Sequence, residues 1–191
     1  MQTSGGDKTP FEALFEFVAT SDDTPYLCIP AAIQFRQDVC GGETRIREYM
    51  WELANEAAEV FATALGTDVL QEPKGVTHWR DSLYRRCAMT TVRLPIPVCD
   101  GWEDDPQTGV KAPGKKETSL CEPLEAHKVA GVCRWLQDTL VERFNTFLPV
   151  FAHGGWLWTR LSAQVYLEKR DFEWAAGVFR GLCEEVVCVQ G

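Results

Sequence analysis

The sequence predicts an α/β protein of the α+β type, in which a mainly antiparallel sheet of three or four strands carries helices on one face. Three observations lead to this prediction. Residues 43–65 have the apolar spacing of an amphipathic helix, and residues 87–96 form an apolar strand pattern. Two further apolar runs flank Gly154-Gly155, which is typical of a β-hairpin. Residues 41–191 are therefore expected to form one small domain.

The helix over residues 43–65 is the clearest element, because its apolar side chains fall on one stripe and Gly66 follows directly. The stripe consists of Ile46, Met50, Leu53, Ala57, Val60, Phe61 and Ala64. The strand over residues 87–96 is expected to end at Pro95 and Pro97, since proline cannot donate to a sheet.

A composition change over residues 98–122 predicts a long surface loop, since this segment offers acids, lysines, glycines and prolines but little to bury. A second amphipathic helix follows Pro123, with Val129, Val132, Cys133, Leu136, Leu140 and Phe144 on its inner side. The last helix is expected to begin near Asp171 as its N-cap, and to bury Phe172, Ala175, Val178, Phe179 and Leu182.

Residues 1–40 read as the tail of a different domain, because an apolar run at 11–18 and a short helix have no obvious partners within the chain. Thr24 is a suitable N-cap with Pro25 in the first helical position. Pro30 either restarts that helix or kinks it.

Bulk properties exclude several functions. The net charge is −9 and the sequence has no clustered Lys/Arg stripe, which argues against binding nucleic acid. Membrane-spanning apolar runs and a secretory signal are both missing from the sequence, so we expect a cytoplasmic protein. The eight cysteines are scattered without a C-x-x-C pair, which predicts reduced, mostly buried thiols and no metal site.

The strand that follows the Gly-Gly turn supplies the candidate binding residues. Alternation places Leu157, Thr159, Leu161, Ala163 and Val165 on a core face, and Trp156, Trp158, Arg160, Ser162, Gln164 and Tyr166 on the other. The planar donor fork of Arg160 suits a carboxylate ligand. The alternative is an arginine paired with a structural glutamate and stacked on Trp158. His153 has no nucleophile placed to form a dyad with it, so we predict no catalytic residue.

Two motifs also resemble a known family. The run F-V-A-T-S-D-D-T-P-Y-L-C-I-P-A-A-I-Q-F-R with the following C-G-G-E, and the later W-T-R-L-S-A-Q-V-Y, resemble the C-terminal portion of class V aminotransferase-like enzymes. These are pyridoxal-phosphate enzymes of fold type I. The resemblance covers nearly all of residues 11–187 and is strongest for the isopenicillin N epimerase-like and hercynylcysteine sulfoxide lyase-like branch.

This resemblance implies specific roles. Arg160 would bind the α-carboxylate of an amino-acid substrate, Ser162 would support it, and Thr20 would contact the phosphate of pyridoxal 5'-phosphate, across a homodimer interface. Residues 1–40 would be a remnant of the large cofactor-binding domain, and residues 41–191 the small domain. The lysine that holds the cofactor is expected upstream of Met1, since the context of Lys8 does not match.

Two functions stay open from the sequence. In the first, the chain is the substrate-clamping part of a pyridoxal-phosphate enzyme such as a carbon–sulfur lyase, inactive alone without the cofactor lysine. In the second, it is a non-catalytic module that dimerises or pairs with a full-length relative.

Overall fold

A computed structural model describes residues 9–11, 22, 24–70, 76, 78–99 and 122–190, with the backbone alone for 187–190. The chain divides into two compact units, Met1–Glu43 and Thr44–Gly191. The predicted domains over residues 1–40 and 41–191 stay a prediction. Whether the first unit is the remnant of a larger cofactor-binding domain stays a prediction.

The described elements, in chain order, are five α-helices, one 3-10 turn and four strands. They are α1 Thr24–Leu27, α2 Ile29–Asp38, α3 Glu43–Leu65, the 3-10 turn Trp79–Asp81, β1 Met89–Cys99, β2 Leu124–Glu125, α4 Ala126–Phe144, β3 Val150–His153, β4 Trp156–Ser162 and α5 Lys169–Gln190.

In the first unit, Thr24 is a helical residue and not the N-cap that the sequence suggests. Its backbone N–H donates to a carboxylate oxygen of Asp22 at 3.0 Å, and the hydrogen bonds from Thr24 lower the pKa of Asp22. Pro30 restarts the chain as α2 after a break at Cys28, which decides between the two alternatives. Thr20, the candidate for contact with the cofactor, lies outside the described residues. So does most of the apolar run at 11–18.

The sheet of the second unit has the strand order β2-β1-β4-β3. β4 pairs antiparallel with both β1 and β3, and only the two-residue β2 lies parallel to β1. Gly154 and Gly155, with φ of 55° and 71°, form the turn between β3 and β4, a conformation that glycine adopts readily. The predicted fold class, a mainly antiparallel sheet with helices, is confirmed.

One apolar core joins the helices to the sheet. Phe61 of α3 lies against Phe179 of α5, with ring centroids 5.8 Å apart, and both side chains are fully buried. The predicted bounds of α3 are confirmed, and Gly66, with φ of 64°, ends it. Other core residues include Leu53, Ala57, Val92, Leu94, Ile96, Leu136, Leu140, Leu157, Leu161, Leu182 and Val186.

The predicted end of β1 is wrong. The strand continues through Pro95 and Pro97 to Cys99, and both prolines are buried. Its pairing with β4 shifts register between Arg93 and Pro97. Such an irregularity accommodates residues that have no N–H to donate, so the prolines do not stop the strand.

Two helix and strand ends also differ from the prediction. β4 stops at Ser162, so Val165 and Tyr166 are exposed residues beyond the strand. α5 begins at Lys169, and Asp171 is its third residue. The Asp171 carboxylate accepts a hydrogen bond from the Glu168 N–H at 2.8 Å, which is the reach-back contact of a capping box.

The cysteine prediction is only partly right. The six described cysteines form no disulfide, but Cys183 alone among them is buried, while Cys28 and Cys99 are exposed. Most of the predicted surface loop, residues 100–121, lies outside the described residues. No helix in the described part of the chain has both the length and the apolar character needed to cross a membrane.

A side chain of α4 hydrogen-bonds to the outer edge of the sheet. β3 is the edge strand beside β4, and its first N–H, at Val150, donates to the side-chain carbonyl of Gln137 on α4 at 3.1 Å.

Candidate functional site

Arg160 is the first exposed residue of β4, after four buried residues. Its neighbours Thr159 and Leu161 are fully buried, as the alternating pattern predicts, whereas Arg160 is exposed. None of the ion pairs or cation–π contacts among the described residues involves Arg160. The alternative reading, an arginine held by a structural glutamate and stacked on Trp158, is therefore not what the described residues show.

Arg160 lines a cavity of about 420 Å³, and Ser162, half-buried, lines the same cavity. The structure thus brings together the two residues that the sequence singles out on this strand. Most of the remaining wall is apolar, from the loop before β3 and the first turns of α5: Phe144, Asn145, Thr146, Phe147, Leu148, Pro149, Leu167, Asp171, Phe172, Trp174 and Ala175.

The loop wall is fixed by hydrogen bonds at both of its ends. Asn145 ends α4 in the left-handed conformation, with φ of 50°, and its N–H donates to Val141 at 3.2 Å. At the other end, the carbonyl of Pro149 accepts from the N–H of Arg160 at 3.3 Å and from the hydroxyl of Thr159 at 3.1 Å. The wall is therefore tied directly to the strand that carries the arginine.

The α5 wall is held by contacts from two other elements. The hydroxyl of Tyr49 on α3 donates to the carbonyl of Leu167 at 2.6 Å. The rings of Phe144 and Trp174 meet edge to face with centroids 6.4 Å apart. These contacts position the cavity before any ligand arrives.

The tryptophans of β4 do not line this cavity, contrary to the single aromatic surface that the sequence suggests around Arg160. Trp158 is buried and its indole N–H donates to the carbonyl of His153 at 2.7 Å. Trp156 is buried beneath the guanidinium of Arg93, which lies 4.6 Å from the ring centroid and pairs with Asp68 at 2.5 Å. The ring of Trp156 and the indole N–H of Trp158 therefore have structural partners, whereas the buried indole N–H of Trp156 has no hydrogen-bond partner among the described residues.

Sequence reasoning missed the walls that face Arg160. The sequence pattern places Phe144 and Phe172 on the inner sides of helices, and it does not indicate that Trp174 and Asp171 line a cavity with β4 residues. Only the tertiary fold brings these residues to the strand, because they lie on two separate helices. The one local signal is the amphipathic pattern, which places a residue inside a helix face but does not say what it faces.

The site offers the guanidinium of Arg160, the hydroxyls of Ser162 and Thr146 and the carboxylate of Asp171, and the rest of its lining is mostly apolar. A guanidinium in partly apolar surroundings binds a carboxylate more strongly than one in bulk water, and its planar fork selects two oxygens of the same group. Lys128 and Lys169, the lysines among the described residues, do not line the cavity. No three His, Cys, Asp or Glu side chains in the described part of the chain are grouped for a metal ion.

Comparison with known proteins gives related sequences. Over 187 residues, 98% of this chain, it is 41% identical to the L-cysteine desulfhydrase-like proteins lolT1 and lolT2 of Epichloe uncinata. Over 158 residues, 83% of this chain, it is 28% identical to the hercynylcysteine sulfoxide lyase of Schizosaccharomyces pombe. No family model matches the chain.

The matched part is only a fraction of each relative. The chain spans 39% and 38% of the two Epichloe proteins and 29% of the Schizosaccharomyces protein. The resemblance that the two end motifs predict is confirmed by these similarities.

Proposed function

Since the chain is a homologue of class V pyridoxal-phosphate enzymes of the desulfhydrase-like and sulfoxide-lyase branch, we propose that it supplies the substrate-carboxylate wall of such an enzyme. The substrate is an amino acid, and the reaction class is carbon–sulfur cleavage. The observation that carries the proposal is the placement of Arg160, exposed, without an acidic partner among the described residues, on the wall of a preformed cavity.

Arg160 binds the α-carboxylate through its paired N–H donors. The apolar residues around it, such as Leu148 and Phe172, restrict water and so strengthen the charge pairing. Ser162 adds a hydroxyl that can donate to the same carboxylate or orient the guanidinium. The hydrogen bonds from Thr159 and Arg160 to Pro149 hold the loop before β3 against the strand that carries Arg160.

The described residues of this cavity fit the acid group of a substrate and do not fit the cofactor. Pyridoxal phosphate needs a lysine for its aldehyde and donors for its phosphate, and the cavity walls contain no lysine. Thr20, the candidate phosphate contact, lies outside the described residues. Cofactor binding and a homodimeric site therefore enter the proposal only through the homology.

A titration with a matched pair of ligands tests the carboxylate role. S-methyl-L-cysteine and 2-(methylthio)ethylamine differ only in the carboxylate, and binding is followed by NMR through the indole N–H of Trp174. We expect the amino acid, but not the amine, to shift this signal, and Arg160→Ala to weaken the response by about tenfold or more. The matched control is Arg180→Ala, since Arg180 is an exposed arginine on α5 that pairs with Glu184. Equal shifts from both ligands, or an unchanged response in Arg160→Ala, would show that Arg160 is not the carboxylate site.

One observation favours the second function, a non-catalytic module that pairs with a copy of itself or with a longer homologue. The first unit exposes a run of large apolar side chains: Tyr26, Leu27, Ile29, Ile33, Phe35 and Val39. Such a surface promotes association in water. Sedimentation of the chain at several concentrations decides this: self-association supports the module, while a clean monomer that binds no apolar dye counts against it.

A further inference from the structure

A second cavity lies between α3 and the segment that precedes β1. Its volume is about 450 Å³, within the range of small-molecule sites. It shares no lining residue with the Arg160 cavity. Its lining consists of two indoles, two guanidiniums and two carboxylates, from Glu48, Trp51, Glu52, Trp79, Arg80 and Arg86.

Buried polar side chains hold the wall of this cavity in place. Asn55 on α3 is buried, and its side-chain amide donates to the carbonyls of Trp51 at 2.7 Å and of Arg85 at 3.0 Å. The hydroxyl of Ser82, also buried, accepts from the N–H groups of Tyr84 at 3.1 Å and of Arg85 at 2.7 Å. A segment with little regular structure is thus fixed onto the helix, and the cavity is preformed.

Arginine side chains lie over both indoles that line this cavity. The guanidinium carbon of Arg86 lies 5.4 Å from the centroid of the Trp51 ring, and that of Arg80 lies 4.9 Å from the centroid of Trp79. Arg47 contacts Trp51 as well, at 5.9 Å. Stacking fixes the plane of a guanidinium and leaves the N–H donors in that plane free to bind two oxygens of a carboxylate or a phosphate.

These guanidiniums are poorly neutralised. Arg80 has Glu52 at 4.0 Å, the outer limit of an ion pair, and no carboxylate among the described residues pairs with Arg86. Arg47 also has no ion pair with another described residue, although the whole chain carries a net charge of −9. The arginines attract an anion, whereas the two carboxylates that line the cavity repel it.

From this combination we propose that the cavity binds an aromatic or heteroaromatic ring that carries an oxyanion. The oxyanion, a carboxylate or a phosphate, pairs with Arg80 and Arg86. The ring packs on the indole and guanidinium stacks, and its N–H groups donate to Glu48 or Glu52. The ring is required because it supplies the contact that offsets repulsion by the carboxylates.

The test uses the whole chain and four probes. AMP carries a ring and a phosphate, and indole-3-acetate carries a ring and a carboxylate. Adenosine and inorganic phosphate each lack one part. Binding is followed by NMR through the indole N–H signals of Trp51 and Trp79. A response to AMP alone identifies a phosphate ligand and a response to indole-3-acetate alone a carboxylate ligand, and either supports the proposal.

Variants then localise the binding. Arg86→Ala is expected to weaken the binding of the responding probe by about tenfold or more, because a charged hydrogen bond and a stack are lost. Arg134→Ala, on the exposed surface of α4, serves as the matched control. Should Arg86→Ala unfold the chain, Arg86→Lys keeps the charge but removes the planar fork, and the same weakening is expected.

A further variant checks the role of the carboxylates. Glu52→Gln is expected to strengthen the binding of inorganic phosphate, because Arg80 loses its acidic neighbour. The proposal is overturned if inorganic phosphate or adenosine binds the original chain as well as AMP does, or if neither ring-bearing anion shifts the two indole signals.

Discussion

The backbone N–H of Arg160 donates to the carbonyl of Pro149 at 3.3 Å, so the residue proposed to bind substrate is hydrogen-bonded to another residue that lines the same cavity. The hydroxyl of the neighbouring Thr159 donates to the same oxygen at 3.1 Å. The shape of the cavity therefore depends on a carbonyl that accepts two hydrogen bonds.

Replacing Thr159 with valine tests this junction. The change keeps the volume of a fully buried side chain but removes one hydrogen bond to Pro149, and we expect a loss of about 1 kcal/mol in the free energy of unfolding. Urea unfolding followed by circular dichroism measures it. Thr90→Val, at a half-buried β1 position, is the control, and equal losses in the two variants would mean that the hydrogen bond contributes nothing.

The ring contact between Phe61 and Phe179 is expected to dominate the stability of the second unit. Truncating a fully buried phenylalanine removes apolar contacts and leaves a cavity, so Phe61→Ala should cost about 3–5 kcal/mol. The same urea experiment measures the loss. Tyr166→Ala removes an exposed ring and should change the free energy of unfolding by no more than about 0.5 kcal/mol. A small effect at Phe61 would contradict the core described above.

The start of α5 depends on the carboxylate of Asp171. Asp171→Ala removes the acceptor for the Glu168 N–H, and a loss of about 0.5–2 kcal/mol is expected from comparable capping contacts. Thermal unfolding of this variant beside Asp138→Ala, an exposed aspartate on α4, measures the difference. If both variants unfold at the same temperature, the capping contact does not contribute to the stability of the chain.

Alkylation should distinguish the partly buried Cys133 from the exposed thiols. Burial disfavours the thiolate and raises the pKa of Cys133 above its usual value of 9.0. At a given pH less thiolate is present, so iodoacetamide should modify Cys133 more slowly than Cys28 or Cys99, and its rate should keep rising to higher pH. Peptide mapping by mass spectrometry gives each rate.

Urea-unfolded chain provides the reference for this measurement, since unfolding removes the burial. The rate difference between Cys133 and the exposed thiols should disappear there. Equal rates for Cys133 in the folded and the unfolded chain would contradict the burial of its thiol.

Local patterns predicted the parts of the fold that local chemistry decides. The apolar period of α3 and the turn at Gly154-Gly155 depend on residues that are close in sequence, and both are confirmed. The continuation of β1 through Pro95 could not be predicted, because the register shift that accommodates it arises from pairing with a strand some 60 residues away. The end of β1 is therefore decided by its pairing with β4 and not by its own sequence.

In the candidate sites, too, local patterns predict some features and only the tertiary fold decides others. The alternating pattern of β4 identified Arg160 and Ser162, and the structure places both on one cavity, although their binding of substrate stays a prediction. The pairing of Trp51 with Arg86 joins residues from α3 and from the segment before β1, and no local pattern predicts it. The one available signal was the density of arginines over residues 80–86 in an acidic chain.

The hydrogen bond from the first N–H of β3 to the side chain of Gln137 reduces the number of backbone groups with which another chain can pair. An open edge strand is a template on which another polypeptide can add a strand, the step that begins fibrillar aggregation. Here the edge is four residues long, and its first donor is already taken at Val150. The sheet thus offers an incoming strand only a short run of backbone groups on that side, and amyloid-like growth from it is disfavoured.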